Sequence, residues 1–461
     1  MNRYYRMACW GLIICGVSLR VLLCWVNPPV NAFDNHFDPI FWIMKYGTIA
    51  PKDALWQSYH PPVFYFLSAM VGKMALYFGV PVSLIPKILQ FIPCLYASLT
   101  LVIIYLILEK MPLSLFSRWC ALGIICFLPR HIYAAAMHSN DMIAVLGVTL
   151  SLYLLLLARE HEFIYTWVGV AGVVIVGTIF TKYTAFVVLP LAFVTYASAF
   201  FQKPSLSYKK LCLAGIFLVV IPLSSLGSYC YVNQKTYGSP LPWNVAMLDP
   251  AKTQVKSDNG INFFDFRPWT TISTPLLTPS NINSFWTLIH GRMWFDLEPK
   301  FVYFTDHDKS GWKRYYQWLR GEASWSTQQF LNRKCRVIGS SLIAIGLVPL
   351  LMAVAGVILL LKKSMTCKEG PNYLLLFPLL FAANAAGIVA LSLRAPVFSA
   401  IKAQYFLNSL SAFAVFIGFG AGYCERYIYL KLLIIGVFLS LFALVIAHIL
   451  QVAVSLSFVM G

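Results

Sequence analysis

Residues 86–108 read PKILQFIPCLYASLTLVIIYLIL, an apolar run whose one charge, Lys87, stands at its start. At about 1.5 Å of rise per residue such a helix is roughly 34 Å long, enough to cross a hydrocarbon core about 30 Å thick. Eleven similar runs lie on either side, at about 8–26, 62–80, 117–136, 142–158, 164–181, 184–201, 211–231, 337–361, 372–392, 405–423 and 432–455. The 461-residue chain is 59% hydrophobic and 11% charged, with a mean hydropathy of +0.72. Soluble domains carry about 25% charged residues, and this chain has no means of building the polar exterior they need. The reading is an all-α polytopic membrane protein with about 11–13 transmembrane helices. The first run is too long for a signal-peptide core and no small-residue cleavage site follows it, so it reads as a retained anchor.

The net charge of +18 suggests nucleic acid only until its placement is considered. The basic residues lie mostly at the ends of apolar runs, where they orient helices in a bilayer. Membrane lipids are therefore the expected partner and nucleic acid is not. The 11 cysteines fall almost entirely within apolar runs. Without paired spacing they read as small buried hydrophobes, neither zinc ligands nor a disulfide framework.

Three regions follow. Residues 1–231 form an N-terminal transmembrane module with a first outer loop at 27–61. Residues 232–336 form a polar, aromatic-rich loop domain, and 337–461 carry the C-terminal helices. Arg3 and Arg6 set the N-terminus in the cytoplasm. Lys110 to Arg118, Arg159, Lys203 to Lys210, Lys362 to Lys368, and Arg426 with Lys431 mark inner connections. Two runs, 62–80 and 86–108, then share one net crossing. The first opens on Pro61-Pro62 and carries Lys73, so it is expected to dip into the membrane or lie along it. His138-Ser139-Asn140-Asp141 consequently shares the outer face with the first loop. The aromatics of the large loop, among them Trp243, Trp269, Trp294, Trp312 and Trp325, suit sugar stacking, interface anchoring or a small core equally.

Acids are scarce enough to sort by elimination. Of 17 Asp and Glu, eight lie in the large loop and five (Glu109, Glu160, Glu162, Glu369, Glu425) stand beside Lys or Arg in inner connections. Asp34, Asp38, Asp53 and Asp141 remain, all on the outer face. A carboxylate at a membrane boundary is costly to desolvate, which makes function the first reading for it. The competing reading is helix capping, by Asp34 for a helix starting near Asn35 and by Asp141 for the run after it. Between Phe37 and Met44 the apolar positions 37, 40, 41 and 44 share one helical face, which Gly47 and Pro51 terminate. This predicts a short amphipathic helix at the interface.

The ordered set of motifs resembles the GT-C type glycosyltransferases, whose relatives include protein O-mannosyltransferases and lipid A aminoarabinose transferases. An early outer-loop Asp is followed by Tyr59-His60-Pro61-Pro62-Val63-Phe64-Tyr65, like the first loop of that family. Ser139-Asn140-Asp141 resembles its second acidic motif, Thr181-Lys182-Tyr183-Thr184 its lysine at the outer end of a helix, and Gln404-Tyr405-Phe406-Leu407 its Arg-Tyr-Leu-Leu motif. The resemblance covers the first 200 residues well and the last 80 loosely. Two departures stand out. The family's Asp-Glu is Asp34-Asn35 here with Asp38 four residues on, so the base lies open between Asp34 and Asp38. The family's Arg is Gln404, with Arg394 and Lys402 nearby as alternative cations.

The resemblance implies a GT-C-like fold and inverting sugar transfer from a polyprenyl-phosphate donor on the outer face. Asp34 or Asp38 would be the general base. Lys182, with Arg394 or Lys402, would stabilise the departing phosphate, although a lysine at this depth also simply snorkels. Asp141, His60 and Tyr405 would bind substrate. No cofactor is assigned; a divalent metal on Asp141 and His138 stays open. The partners would be a lipid-linked sugar donor and a glycan, lipid or protein acceptor. The location would be a bacterial inner membrane, with the endoplasmic reticulum as the alternative. The rival function is a transporter or flippase for a lipid-linked or anionic solute. Against it, transporters place charge near the midplane and show internal repeats, and neither is evident here.

Overall fold

The computed structural model describes residues 3–29, 36–202, 206–243, 261–273, 275, 283–295, 333–366, 372–394 and 401–460. In chain order the helices are α1 (Arg3–Val26), α2 (Phe37–Tyr46), α3 (Val63–Tyr77), α4 (Ile85–Lys110), α5 (Leu115–Cys126), α6 (Pro129–Ala135), α7 (Asp141–Glu160), α8 (Tyr165–Ile179) and α9 (Val188–Gln202). There follow α10 (Tyr208–Gly215), α11 (Ile221–Tyr237), α12 (Pro268–Ser273), α13 (Phe285–Trp294), α14 (Arg333–Ile345), α15 (Leu347–Thr366), α16 (Leu376–Arg394), α17 (Leu410–Cys424) and α18 (Ile428–Met460). Among the described residues the only β pairing is an isolated bridge between Asn262 and Ser284.

Among the described residues eight helical stretches are long and apolar enough to cross a membrane, and four shorter apolar helices accompany them. Large apolar side chains such as Val173, Ile358 and Leu432 stand exposed on these helices, as a lipid-facing surface requires. The protein is an integral multi-pass membrane protein. Several runs differ from simple spans. Residues 117–136 divide into α5 and α6 because Pro129 opens a new helix after Phe127 and Leu128. The run at 62–80 contains the 15-residue α3, about 22 Å long and short of the hydrocarbon thickness.

The expected amphipathic helix is α2. It ends at Gly47, whose φ of 72° suits glycine, with the Gly47 N–H donating to Ile43 O. Its buried stripe is turned slightly from the expected one: Pro39, Ile40 and Ile43 are buried, while Phe41 faces out. Ile40 and Ile43 pack with Phe64, Tyr65 and Ala69 of α3 and with Ile85 and Leu89 of α4. Within residues 232–336 two whole helices are described, α12 and α13, between the end of α11 and the start of α14. α13 is buried along most of its length and packs against α14 and the 3-10 turn at Ala403–Ser409.

Buried cations tie the helix ends together. Arg20 is fully enclosed in α1, and its Nη1 donates to Gly16 O (2.7 Å) and Cys126 O (2.9 Å), while its Nε donates to His131 Nδ1 (3.2 Å). The break before Pro129 leaves carbonyls at the end of α5, and Arg20 satisfies one of them. Lys87 in the first turn of α4 does the same for α1, donating to Cys24 O (2.7 Å) and Asn27 O (2.8 Å). Asn27 Nδ2 and Gln90 Nε2 both donate to Ala136 O (2.8 and 2.7 Å), which fixes the chain just before His138.

α7 packs against α4, α8, α9 and the Ala403–Ser409 turn. Its 20 residues span about 30 Å and separate two polar ends. At one end Lys110 pairs with Glu160, Arg118 with Glu109 (3.3 Å), and Ser114 donates to Glu425. These links join three of the connections read from sequence as inner. At the other end stand Asp141 and its partners.

α15 and α17 approach more closely than side chains permit. A Cβ on Gly356 would lie 1.8 Å from Phe416 O, and one on Gly420 would lie 2.1 Å from Met352 O. Replacing Gly356 by Leu is expected to cost at least about 3 kcal/mol through overpacking. Gly387→Ala, at a helical site with open space, should be neutral or stabilise by up to about 1 kcal/mol. Thermal unfolding in detergent measures both.

Candidate active site

Three interruptions of helix meet at one point. Asp141 is the first residue of α7, after the turn His138-Ser139-Asn140. Lys182 has extended backbone (φ −161°, ψ 146°) between α8 and a 3-10 turn at Tyr183–Val187. Gln404 and Tyr405 lie on the 3-10 turn Ala403–Ser409 that leads into α17. Lys182 Nζ donates to Asp141 Oδ1 at 2.5 Å, with both side chains at most 7% exposed. Asp141 Oδ2 accepts from Ser139 Oγ (3.1 Å) and Gln404 Nε2 (3.4 Å). The Lys182 ammonium also stands over the Tyr405 ring, 5.1 Å from its centroid.

Side-chain amides hold these interruptions in register. Asn140 Nδ2 donates to Thr181 O (3.4 Å), and Asn408 Nδ2 to Thr184 O (3.2 Å). Asn384 of α16 donates to Tyr405 O (3.0 Å) and Ser409 Oγ (2.9 Å). Backbone groups freed where the helices break thus find partners in Asn side chains, as buried carbonyls must.

The first loop forms the adjoining wall. The His36 ring stacks on His60 (6.0 Å) and on Tyr65 (5.9 Å), and His36 Nδ1 and Tyr65 OH are 3.0 Å apart. Phe37 stacks on His138 at 4.2 Å. Tyr65 OH donates to Gln57 O (3.0 Å), and the Val63 N–H donates to Phe180 O (3.0 Å), seating α3 against the end of α8. Lys52 Nζ donates to Tyr229 OH (2.6 Å) and Tyr59 O (3.0 Å), so the loop is fastened to α11. Burial, with Lys182, His36, Lys52 and Lys402 around it, holds His60 well below the usual histidine range. Burial and His36 do the same to His138. Both imidazoles are neutral at pH 7.

The sequence-predicted residues divide accordingly. Asp141, Lys182 and Tyr405 come together, with His60 close enough to feel Lys182 and Lys402. Asp141 is not the helix cap of the alternative reading: Asn140 holds the cap position, and the carboxylate is spent on Lys182, Ser139 and Gln404. Asp34 lies outside the described residues, as does the side chain of Arg394. Asp38 is exposed in the first turn of α2, and Asp53 is exposed as well. Gln404 was legible only as a missing Arg, yet it contacts Asp141 directly. Lys52 escaped the sequence reading because its partner Tyr229 is 177 residues away and no spacing signals that.

No family model and no curated protein matches the sequence. Solved structures do match. The Archaeoglobus fulgidus oligosaccharyltransferase tethered with an acceptor peptide superposes with a TM-score of 0.52 at 11% identity, covering 99% of this chain and 55% of that one. The same enzyme complexed with Zn and sulfate gives 0.50 at 13% identity, covering 95% and 53%. ArnT from Cupriavidus metallidurans bound to undecaprenyl phosphate covers 90% and 78% at 13% identity, but its TM-score of 0.36 carries no argument. The likeness shows that this chain shares the fold of that oligosaccharyltransferase over its length. The chain spans about half the length of that enzyme.

The zinc in one of those crystals raises the question of a metal here. Among the described residues no three His, Cys, Asp or Glu side chains converge as a ligand set. Both oxygens of Asp141 are engaged by protein donors. The described residues do not fit a metal site.

Removing one member of the buried pair strands the other. Lys182→Met is expected to cost about 3–5 kcal/mol of stability, and Lys182→Met with Asp141→Leu less than the sum of the singles. Thermal unfolding of the four proteins in detergent gives the cycle. Burial lowers Lys52 to about 8, against about 10.4 for an exposed lysine. Between those values the unfolded chain binds more protons, so stability rises with pH across that window. Lys52→Met should flatten that rise in melting temperature.

Proposed function

We propose that this protein is a membrane glycosyltransferase that moves a sugar from a polyprenyl-phosphate donor to an acceptor at the end of the bundle carrying Asp141 and Lys182. The observation that carries this reading is the convergence of three motifs on one buried ion pair, with Gln404 and Asp141 joined across 263 residues of sequence. Three helix interruptions and their polar side chains gathered at one end of an apolar bundle suit a reaction between a lipid-anchored and a water-borne substrate. The oligosaccharyltransferase of the same fold was crystallised with a tethered acceptor peptide. Its acceptor class does not transfer to a chain half its length, and a glycan, lipid or protein acceptor fits equally.

In this reading the donor's hydrocarbon chain lies in lipid and its phosphate meets Lys182 and Lys402. Lys182 has three N–H donors, and Asp141 engages one of them, leaving capacity for an anionic oxygen. Asp141 holds the ammonium in place. The acceptor's oxygen or nitrogen attacks the anomeric carbon opposite the phosphate, and the bond to the phosphate oxygen breaks with its electron pair. Polyprenyl phosphate departs, and the acceptor's proton passes to Asp34, with Asp38 as the alternate base. Attack from the far side inverts the anomeric centre. The N-terminus is cytoplasmic and the site faces outward, as the Lys and Arg distribution of the sequence reads, in a bacterial inner membrane.

Purified protein incubated with radiolabelled polyprenyl-phosphate sugars and a membrane extract tests this. Transfer is expected from at least one donor. Asp34→Asn should reduce it by about 100- to 10,000-fold if Asp34 is the base, and Asp38→Asn should if Asp38 is. No transfer from any donor, or full activity in both variants, overturns the reading.

A further inference from the structure

Among the buried polar atoms without a hydrogen-bond partner are Asn140 Oδ1, Gln404 Oε1 and both ring nitrogens of His138, on residues that precede Asp141 in the chain or bond to it. None of the three residues is more than 2% exposed. Buried polar atoms without partners are rare in folded proteins, and a group of them signals something that completes them. The amide orientations are set by what each amide already bonds. Asn140 Nδ2 donates to Thr181 O and Gln404 Nε2 donates to Asp141 Oδ2. Both partners only accept, so the atom left over in each residue is a carbonyl oxygen. His138 is neutral, because burial and His36 hold it below the usual range, and therefore presents one donor and one acceptor.

The vacant set is thus three acceptors and one donor. A phosphate, which only accepts, would be repelled by the two carbonyl oxygens. Hydroxyl groups, which donate and accept, match all four. We infer that His138, Asn140 and Gln404 form a hydroxyl-reading subsite that recognises the sugar ring of the lipid-linked donor, beside the cations that take its phosphate. The inference rests on the glycosyl-transfer reading above and assigns the neutral Gln404, where the resemblance expects a cation, to the sugar. His138 is held in that position by stacking, not by hydrogen bonds: its ring lies parallel to Phe37, 7° apart in plane.

That distinction gives a clean test. His138→Phe keeps the stacked ring and deletes only the orphan nitrogens, so the melting temperature of the unliganded protein should be unchanged or higher. Binding in nanodiscs is then measured for bare undecaprenyl phosphate and for a panel of its hexosyl and pentosyl esters. Wild type should prefer at least one ester. His138→Phe should weaken that ester by about five- to tenfold, the worth of one to two hydrogen bonds, and leave the bare lipid within twofold. Gln404→Met, which also removes a donor to Asp141, should weaken the ester more than the bare lipid. Variants that keep the full ester preference show that water satisfies these atoms and overturn the subsite. Equal weakening of bare lipid and esters assigns the residues to the phosphate and also overturns it. Wild type that binds the bare lipid but prefers no ester sinks the subsite alone. Wild type blind to every lipid phosphate sinks the donor reading and the subsite with it.

Discussion

An ammonium and a carboxylate 2.5 Å apart, each almost wholly enclosed, are the constraint on which the site end of this protein depends. Neither Lys182 nor Asp141 can be desolvated alone without a penalty of several kcal/mol. Their pairing obliges the break after α8 and the start of α7 to sit face to face. Gln404 then draws the turn before α17 to the same point. Helices distant in sequence are thereby registered by electrostatics at one end, while close packing, as between Gly356 and Phe416, sets their approach elsewhere.

The pair persists because broken helices around it are otherwise satisfied. In a bilayer an unpaired backbone group costs several kcal/mol, so irregular chain survives only where protein supplies partners. Asn140, Asn384 and Asn408 supply them at the site. Arg20 and Lys87 supply them where α5 and α1 end. The same polar groups stand where the helices are interrupted, so each break is matched by a side-chain partner. Asn140 beside Asp141 in sequence, Gln404 bonded to it, and nearby His138 each keep a buried polar atom without a partner.

Much of this was legible in the sequence, for identifiable reasons. Twelve apolar runs mapped onto helices because a bilayer enforces length and polarity together. Asp141 and Lys182 stood out because ionisable groups at membrane boundaries demand a partner, and each proved to be the other's. The split of residues 117–136 was harder to see, since Pro129-Arg130-His131 is a short interruption between two apolar flanks. The turn of α2 that leaves Phe41 outside is set by contact with α3, not by periodicity. Gln404 and Lys52 were missed as contacts because their partners, Asp141 and Tyr229, lie far away in the chain. Long-range polar pairs leave no mark on local spacing.

In the proposed function this buried pair is where a lipid phosphate is received. Electron cryomicroscopy of the protein in nanodiscs containing undecaprenyl phosphate tests it most directly. Density for a phosphate is expected within about 4 Å of Lys182 Nζ, the range of a direct ion pair, with the lipid chain running out between helices into the bilayer. A phosphate bound at the opposite end, beside Arg118 or Arg159, with the Lys182 ammonium contacting only Asp141, would contradict it.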